Sequence, residues 1–323
     1  MYNQSEAILQ QYDLEIKLIS RGRGAYICET NEGTKLLTPF RGSKERAMFL
    51  RDVLSRLNES GIAAEQIMLT KEGEAVATDE SGMRYWLKDM VYGAECSTNR
   101  EQDMVRAVTS LGKLHCALKA CASGIPAFMK TDRSDPENVC RRHYRELVKV
   151  KNYVLARRSR NEFERRFLTL YAHYMADATE AVRILDEEDL HPAKGLCHGD
   201  FNQHNVLKTT EGFMIVHYEN MSYATPVMDL ANFVRKMMEK NRWESRLGER
   251  LVMQYDSEYG MSTDEKRLLY LVLLFPEKFW KVSNHYSNSR KTWVSEREID
   301  KLNKIEELEP ARRAFLENML SFL

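Results

Sequence analysis

The residues best suited to chemistry lie between positions 196 and 236. They read Leu-Cys-His198-Gly-Asp200-Phe-Asn-Gln-His-Asn205-Val-Leu, then Phe-Met-Ile-Val-His217-Tyr-Glu219-Asn, and then Val-Met-Asp229-Leu. His198-x-Asp200-x4-Asn205 has the spacing of a phosphoryl-transfer catalytic loop, in which the Asp accepts the proton of an attacking hydroxyl and the Asn holds a magnesium ion. The apolar run 213–216 is the expected strand presenting a second metal ligand, normally an Asp at its end. His217 occupies that position. Imidazole is a poor substitute for a carboxylate on a hard cation that prefers oxygen. Glu219, two residues on, shares a face with His217 in an extended segment and offers a displaced carboxylate. If the site is active, Asn205 and Glu219 are therefore the expected metal ligands.

A second departure affects the nucleotide side of the same site. Lys35-Leu36-Leu37-Thr38 stands where a kinase carries Val-Ala-Ile-Lys. In that register Thr38 replaces the phosphate-contacting lysine, and Leu36 replaces the small residue over the adenine. Lys35 is three positions from Thr38 and so points to the opposite face of the strand unless a bulge intervenes. Charge neutralisation and orientation supply nearly all of the catalysis in phosphoryl transfer, so losses at Thr38 and His217 weigh together.

The elements that must carry these residues follow in chain order. Residues 14–38 alternate, with turn signals at Arg21-Gly22-Arg23-Gly24 and Asn31-Glu32-Gly33, predicting three short antiparallel strands. The incomplete glycine pattern at Gly22 and Gly24 reads as a hairpin turn rather than a nucleotide loop. Residues 43–58 carry a helical stripe of Met48, Leu50, Leu54 and Leu57, with Glu45 as a solvated surface glutamate. Segments 67–70, 74–78 and 83–91 complete a five-strand pattern, and Lys88, Asp89, Met90 and Val91 form the expected nucleotide hinge. From residue 100 the periodicity is helical, with His115 as a packed core histidine. Residues 141–160 hold eight basic residues and one acidic one, a solvated face or a dock for an acidic partner. Helices are further expected over 162–185, from Met228, and over 263–274, with an aromatic turn at 275–280 and a terminal helix 295–323 divided near Pro310. Asp229 and His198 are expected in structural roles.

The resulting expectation is an α+β, two-lobed protein-kinase-like fold, with a small antiparallel-sheet lobe over 1–92 and a large helical lobe over 93–323. Lys+Arg and Asp+Glu are both 48 in 323 residues, which gives no general electrostatic footprint for nucleic acid. Six scattered cysteines without Cys-x-x-Cys spacing, and no basic-then-apolar leader, read as a reduced cytoplasmic chain. The longest apolar run, 268–275, is too short to span a bilayer.

His198-Gly-Asp200-Phe-Asn-Gln-His-Asn205, the segment 227–240 and Phe275-Pro-Glu-Lys-Phe-Trp280 resemble the CotS-like spore-coat family, a branch of the aminoglycoside and choline phosphotransferase superfamily. The resemblance covers nearly the whole chain. It implies synthesis in the mother-cell cytoplasm of an endospore former, deposition in the spore coat, and other spore-coat proteins as partners. Joined to the residue reading, it predicts a kinase-like coat component with a degenerate nucleotide site that needs no cofactor. The alternative is an active small-molecule phosphotransferase using ATP, magnesium and Asp200 as base.

Overall fold

The computed structural model describes residues 2–22, 24–121, 124–130, 135–289 and 296–323. Arg23 of the glycine turn and Ser295 at the expected start of the last helix lie outside the described residues. The chain forms two compact units, one of 1–97, 102–130 and 195–223, the other of 98–101, 131–194 and 224–323.

The first unit begins with α1 (Tyr2–Leu9), which the sequence reading did not anticipate, and continues into an antiparallel sheet. Its strands are β1 (Ile16–Arg21), β2 (Tyr26–Thr30), β3 (Gly33–Phe40), β4 (Ala77–Thr78) and β5 (Arg84–Asp89), in the order β1-β2-β3-β5-β4. The expected strands at 67–70 and 74–78 shrink to isolated bridges at Ile67 and Thr70 and to the two residues of β4. Between them the chain turns at Gly73 (φ +78°), whose N–H donates to the Thr70 carbonyl. Register then sorts the strand faces. Leu37 lies opposite Leu87, and both join Ile8, Leu9, Tyr12 and Cys28 in a buried apolar cluster. On the other face Leu36 lies opposite Lys88 and Thr38 opposite Trp86.

Helix α2 (Lys44–Glu59) is capped by Ser43, whose hydroxyl accepts from the Arg46 N–H at 3.2 Å. Its stripe of Leu50, Val53, Leu54 and Leu57 is buried. The unit continues through β6 (Ala94–Glu95), α3 (Glu101–Ala120), β7 (Gly195–Cys197), β8 (Val206–Lys208), β9 (Phe213–Ile215) and β10 (Ser222–Ala224). Strands β6, β8 and β9 make a small sheet that sets the ends of the catalytic-loop segment.

The second unit is helical: α4 (Pro136–Ala156), α5 (Glu162–Glu187), α6 (Val227–Lys240), α7 (Ser245–Tyr259), α8 (Thr263–Leu274), α9 (Glu277–Asn288) and α10 (Glu296–Phe322). Reciprocal capping boxes start α5, at Asn161 and Glu164, and α8, at Ser262 and Glu265. Helices α7 and α9 were not expected. Pro-Glu-Lys-Phe-Trp makes the first turn of α9, with Phe279 stacked against Phe167 and Tyr174, instead of an aromatic turn. The expected division at Pro310 does not occur, because α10 runs through it. Proline removes one N–H from the ladder, but Arg312, just beyond it, donates to Asp177 at 2.9 Å and to Glu309 at 3.1 Å, holding both sides in place. No described helix is long and apolar enough to cross a membrane.

Candidate functional site

The catalytic-loop motif is folded by its own polar side chains. Asn202 caps the short 3-10 turn Gln203–Asn205, accepting from the His204 N–H at 3.0 Å. Its amide donates to the Asp200 carbonyl at 2.9 Å and to Oδ1 at 3.0 Å, while the Asn205 amide donates to the same carbonyl at 2.8 Å and to Oδ2 at 3.2 Å. Each carboxylate oxygen of the exposed Asp200 thus receives one amide donor. His198, fully buried, accepts the Asp200 N–H on Nδ1 at 3.2 Å and faces the Val216 carbonyl with Nε2 at 3.0 Å. A backbone donor on one side and a backbone acceptor on the other fix the neutral ring with its proton on Nε2. The expected structural role of His198 takes this form. Gly199 is required on two counts: its φ is +80°, and a Cβ there would lie 2.1 Å from the Asn220 carbonyl oxygen.

Beyond β9 the chain passes through His217 in the left-handed region, at φ +68° and ψ +61°. Such a conformation costs a non-glycine residue about 1–3 kcal/mol and persists only where its surroundings impose it. Here the His217 N–H donates to Glu65 Oε2 at 2.7 Å. The other oxygen of Glu65 lies 3.0 Å from Lys88 Nζ, which also donates to Glu219 Oε1 at 2.6 Å and lies 3.2 Å from His217 Nδ1. An ammonium can only donate, so Nδ1 is the acceptor. Lys88 and Glu65 are almost fully buried, with side-chain exposures of 1% and 3%.

Burial alone would push the Lys88 ammonium down, but the Glu65 and Glu219 carboxylates outweigh it and hold it above the usual lysine range. Burial likewise pushes the Glu219 carboxyl up. The His217 imidazole and the Lys88 ammonium at 2.6 Å carry it down to about 2. Arg46, placed by the Ser43 cap, donates to the backbone carbonyls of Glu219 at 3.2 Å and Met221 at 2.6 Å, pinning the same turn.

The predicted residues are thus only partly brought together. Lys88, His217 and Glu219 form one ionic cluster with Glu65, which the sequence reading missed along with Arg46. Lys88 was expected in the hinge, but it lies inside β5 with its side chain buried, because strand alternation turns it to the face that Leu36 and Thr38 share. The cation missing from Thr38 therefore reappears one strand over. Lys35 is on the opposite face as expected and pairs with Asp89 at 2.7 Å. The Met90 N–H donates to the Thr34 carbonyl at 3.0 Å, and Val91 is half-buried. Thr38 Oγ1 and Trp86 Nε1, opposite one another in register, are buried without a hydrogen-bond partner among the described residues. Glu45 is exposed, and Asp229 is buried in the first turn of α6. Only one signal could have marked Glu65: a lone acid within the apolar run Ile62-Ala-Ala-Glu-Gln-Ile67.

This donor set does not fit magnesium. Two of the positions that would face the ion, His217 Nδ1 and Glu219 Oε1, receive hydrogen bonds from an ammonium whose charge opposes a cation. What remains is the Asn205 amide oxygen, the second oxygen of Glu219, whose charge the ammonium already balances, and an Asp200 carboxylate shared between two amides. Among the described residues no group of three or more His, Cys, Asp or Glu is arranged to hold a metal ion.

Residues 5–319 match the family described as "Spore coat putative kinase YutH". The chain belongs to this family. Spore coat protein S of Bacillus subtilis (strain 168) is 24% identical to this YutH-family chain over 314 residues, covering 94% of it and 89% of the relative. Among solved structures, the aminoglycoside phosphotransferase from Alicyclobacillus acidocaldarius subsp. acidocaldarius DSM 446 superposes with a TM-score of 0.85 at 17% identity, covering 98% of this chain and 95% of that one. Spectinomycin phosphotransferase, solved with ADP and spectinomycin, gives a TM-score of 0.65 at 15% identity, covering 96% of each chain. At such identities these structures establish the fold alone: a protein-kinase-like phosphotransferase fold with an antiparallel sheet lobe and a helical lobe. The resemblance to the CotS-like branch is borne out.

Proposed function

We propose that this YutH-family protein is a kinase-like component of the spore coat whose nucleotide site is degenerate and whose role in coat assembly is structural. The observation that carries the reading is Lys88, whose ammonium joins Glu65 and Glu219 and donates to His217, where a metal would need oxygen ligands. In this reading residues 1–92 are the small lobe and 93–323 the large one, with Asp89, Met90 and Val91 as a vestigial hinge. The protein is made in the mother-cell cytoplasm, joins the coat through other coat proteins and works without ATP or magnesium. The relatives support the location, since spore coat protein S names a coat component.

A second reading has its own support. Asp200 is exposed and oriented by the amides of Asn202 and Asn205, as a base for a hydroxyl substrate would be. It makes the protein a small-molecule phosphotransferase using ATP, with Asn205 and Glu219 on the metal; one neighbour of this fold was solved with AMP-PNP and Ca2+.

Thermal unfolding with millimolar ATP, with and without magnesium or manganese, separates the two. A ligand at a hundred times its dissociation constant stabilises the native state by about 2.7 kcal/mol. The degenerate reading expects no such shift in wild type. A shift of that size, lost in Asn205→Ala, would replace it with the enzyme reading.

A further inference from the structure

We infer that the groove between α4 and α9, with the basic stripe beside it, is a docking site for an acidic, extended segment of a partner protein. The inference rests on the reading of the protein as a coat component. Four of the basic residues between 141 and 160 are committed within the fold. Arg141 pairs with Glu137 and Asp186, Lys151 lies over the Tyr171 ring, Arg157 pairs with Glu164, and Arg160 donates to the carbonyls of Val154 and Leu155. Arg158 lies past the end of α4, and Arg142, Arg145 and Lys149 remain on the helix, Arg145 with one bond from Nε to the Arg141 carbonyl at 3.2 Å. All three are exposed and have no carboxylate partner among the described residues.

Spaced at i, i+3 and i+7, these three share one face of α4, and Tyr153, 49% exposed, extends the row by one more turn. The single acid of the segment, Glu146, lies on the same face and keeps its negative charge, but it forms no ion pair with the three and accepts instead from Trp280 Nε1 at 2.7 Å, so the row carries a net charge of two positive. Along this row α4 and α9 border a cavity of about 330 Å3 lined by Glu146, Lys149, Val150 and Tyr153 on one side and Asn284, Ser287 and Asn288 on the other. Asn288 donates to Asn284 Oδ1 at 2.9 Å. That bond leaves the Asn284 amide as a donor and the Asn288 amide oxygen as an acceptor, the pair a peptide group requires.

Charge and size choose the occupant. The row from Arg142 to Tyr153 runs ~16 Å at 1.5 Å per residue, the length of about five residues of extended peptide. Three exposed cations without a carboxylate partner fall short of the roughly six to ten phosphate contacts of a nucleic-acid site, and the chain as a whole is neutral. An acidic peptide places carboxylates on Arg142, Arg145 and Lys149 while its backbone meets the two asparagines.

The test is fluorescence anisotropy of the intact chain with a fluorescein-labelled peptide of alternating Glu and Tyr, about eight residues long. Oligo-dT of matched charge is the competing probe. Arg142→Glu/Arg145→Glu/Lys149→Glu is expected to weaken peptide binding by about tenfold or more, Asn284→Ala/Asn288→Ala by several-fold, and Arg246→Glu, on α7, by less than about twofold. Lys149→Ala, a single change at an exposed site, gives the same direction if the triple reversal does not fold. No binding of the peptide by wild type, equal binding by Lys149→Ala and wild type, or tighter binding of oligo-dT would each overturn the proposal. ATP binding leaves these outcomes untouched, so failure here and failure of the coat-component reading are told apart.

Discussion

Lys88→Met removes the charge at the centre of the ionic cluster while keeping an apolar stem of similar length. Glu65 and Glu219 would then share a buried site without the cation that joins them, and breaking a buried ion pair on one side costs about 3–5 kcal/mol. The carboxyl shows part of this: moving Glu219 from 4.5 to about 2 corresponds to roughly 3 kcal/mol, at about 1.4 kcal/mol per unit, and the His217 imidazole and the Lys88 ammonium supply it together. The expected loss is about 3 kcal/mol near pH 7, a large share of the ~5–15 kcal/mol that holds most domains together.

The sign of the pH dependence follows from the same residue. Glu219 titrates lower in the folded state than in the unfolded one, so its contribution is complete above about pH 4.5 and is lost as the pH falls toward 2. In Lys88→Met the ammonium no longer opposes the burial of Glu219, which protonates more readily, so the gap from wild type narrows as the pH drops below about 5. Urea midpoints for both proteins at about pH 7 and pH 4 measure this, and Lys88→Met/Glu65→Gln/Glu219→Gln should regain much of the loss at neutral pH. A cost under about 1 kcal/mol at pH 7, or a gap that does not change with pH, would refute the view that Lys88 is the counter-charge of this cluster.

Gly199→Ala should cost at least about 2 kcal/mol, because the new Cβ meets the Asn220 carbonyl at 2.1 Å in a left-handed backbone; a urea midpoint within error of wild type would contradict the geometry. Trp280→Phe keeps the ring that stacks on His143 with centroids 3.4 Å apart but loses the donor to Glu146, with an expected cost of about 1.5–3 kcal/mol by urea unfolding. Burial raises the Glu277 carboxyl, but the His143 hydrogen bond and the Arg235 and Lys281 charges bring it to about 2. Glu277→Gln should therefore flatten the loss of stability between about pH 4.5 and 2, and an unchanged acid limb would count against this.

The features legible in the sequence were those set by short-range chemistry. The apolar stripe expected over 43–58 and the helix expected over 263–274 lie within a residue of α2 and α8, and alternation correctly separated Lys35 from Thr38. The loop from His198 to Asn205 was readable because the bonds among Asp200, Asn202 and Asn205 close within it, although the bond from His198 to Val216 reaches 18 positions on. Lys88 was not, because its partners lie 23 positions back at Glu65 and 131 positions ahead at Glu219, and no local pattern links the three. A lysine near the end of a strand gives no sign from sequence of which face it will take until the register against Leu36 is known. Pro310 misled for the opposite reason: its local cost is real, but long-range bonds from Arg312 to Asp177 and to the α8 carbonyls outweigh it.

The Lys88 ammonium also bears on upkeep. A kinase that gathers acidic side chains for a metal leaves them in mutual repulsion whenever the ion is away, so its apo form is softened until ligand returns. This chain carries the balancing charge on a covalent tether. The turn from His217 to Met221 should accordingly stay as rigid in a chelator as in magnesium, its shape independent of any supply of small molecules.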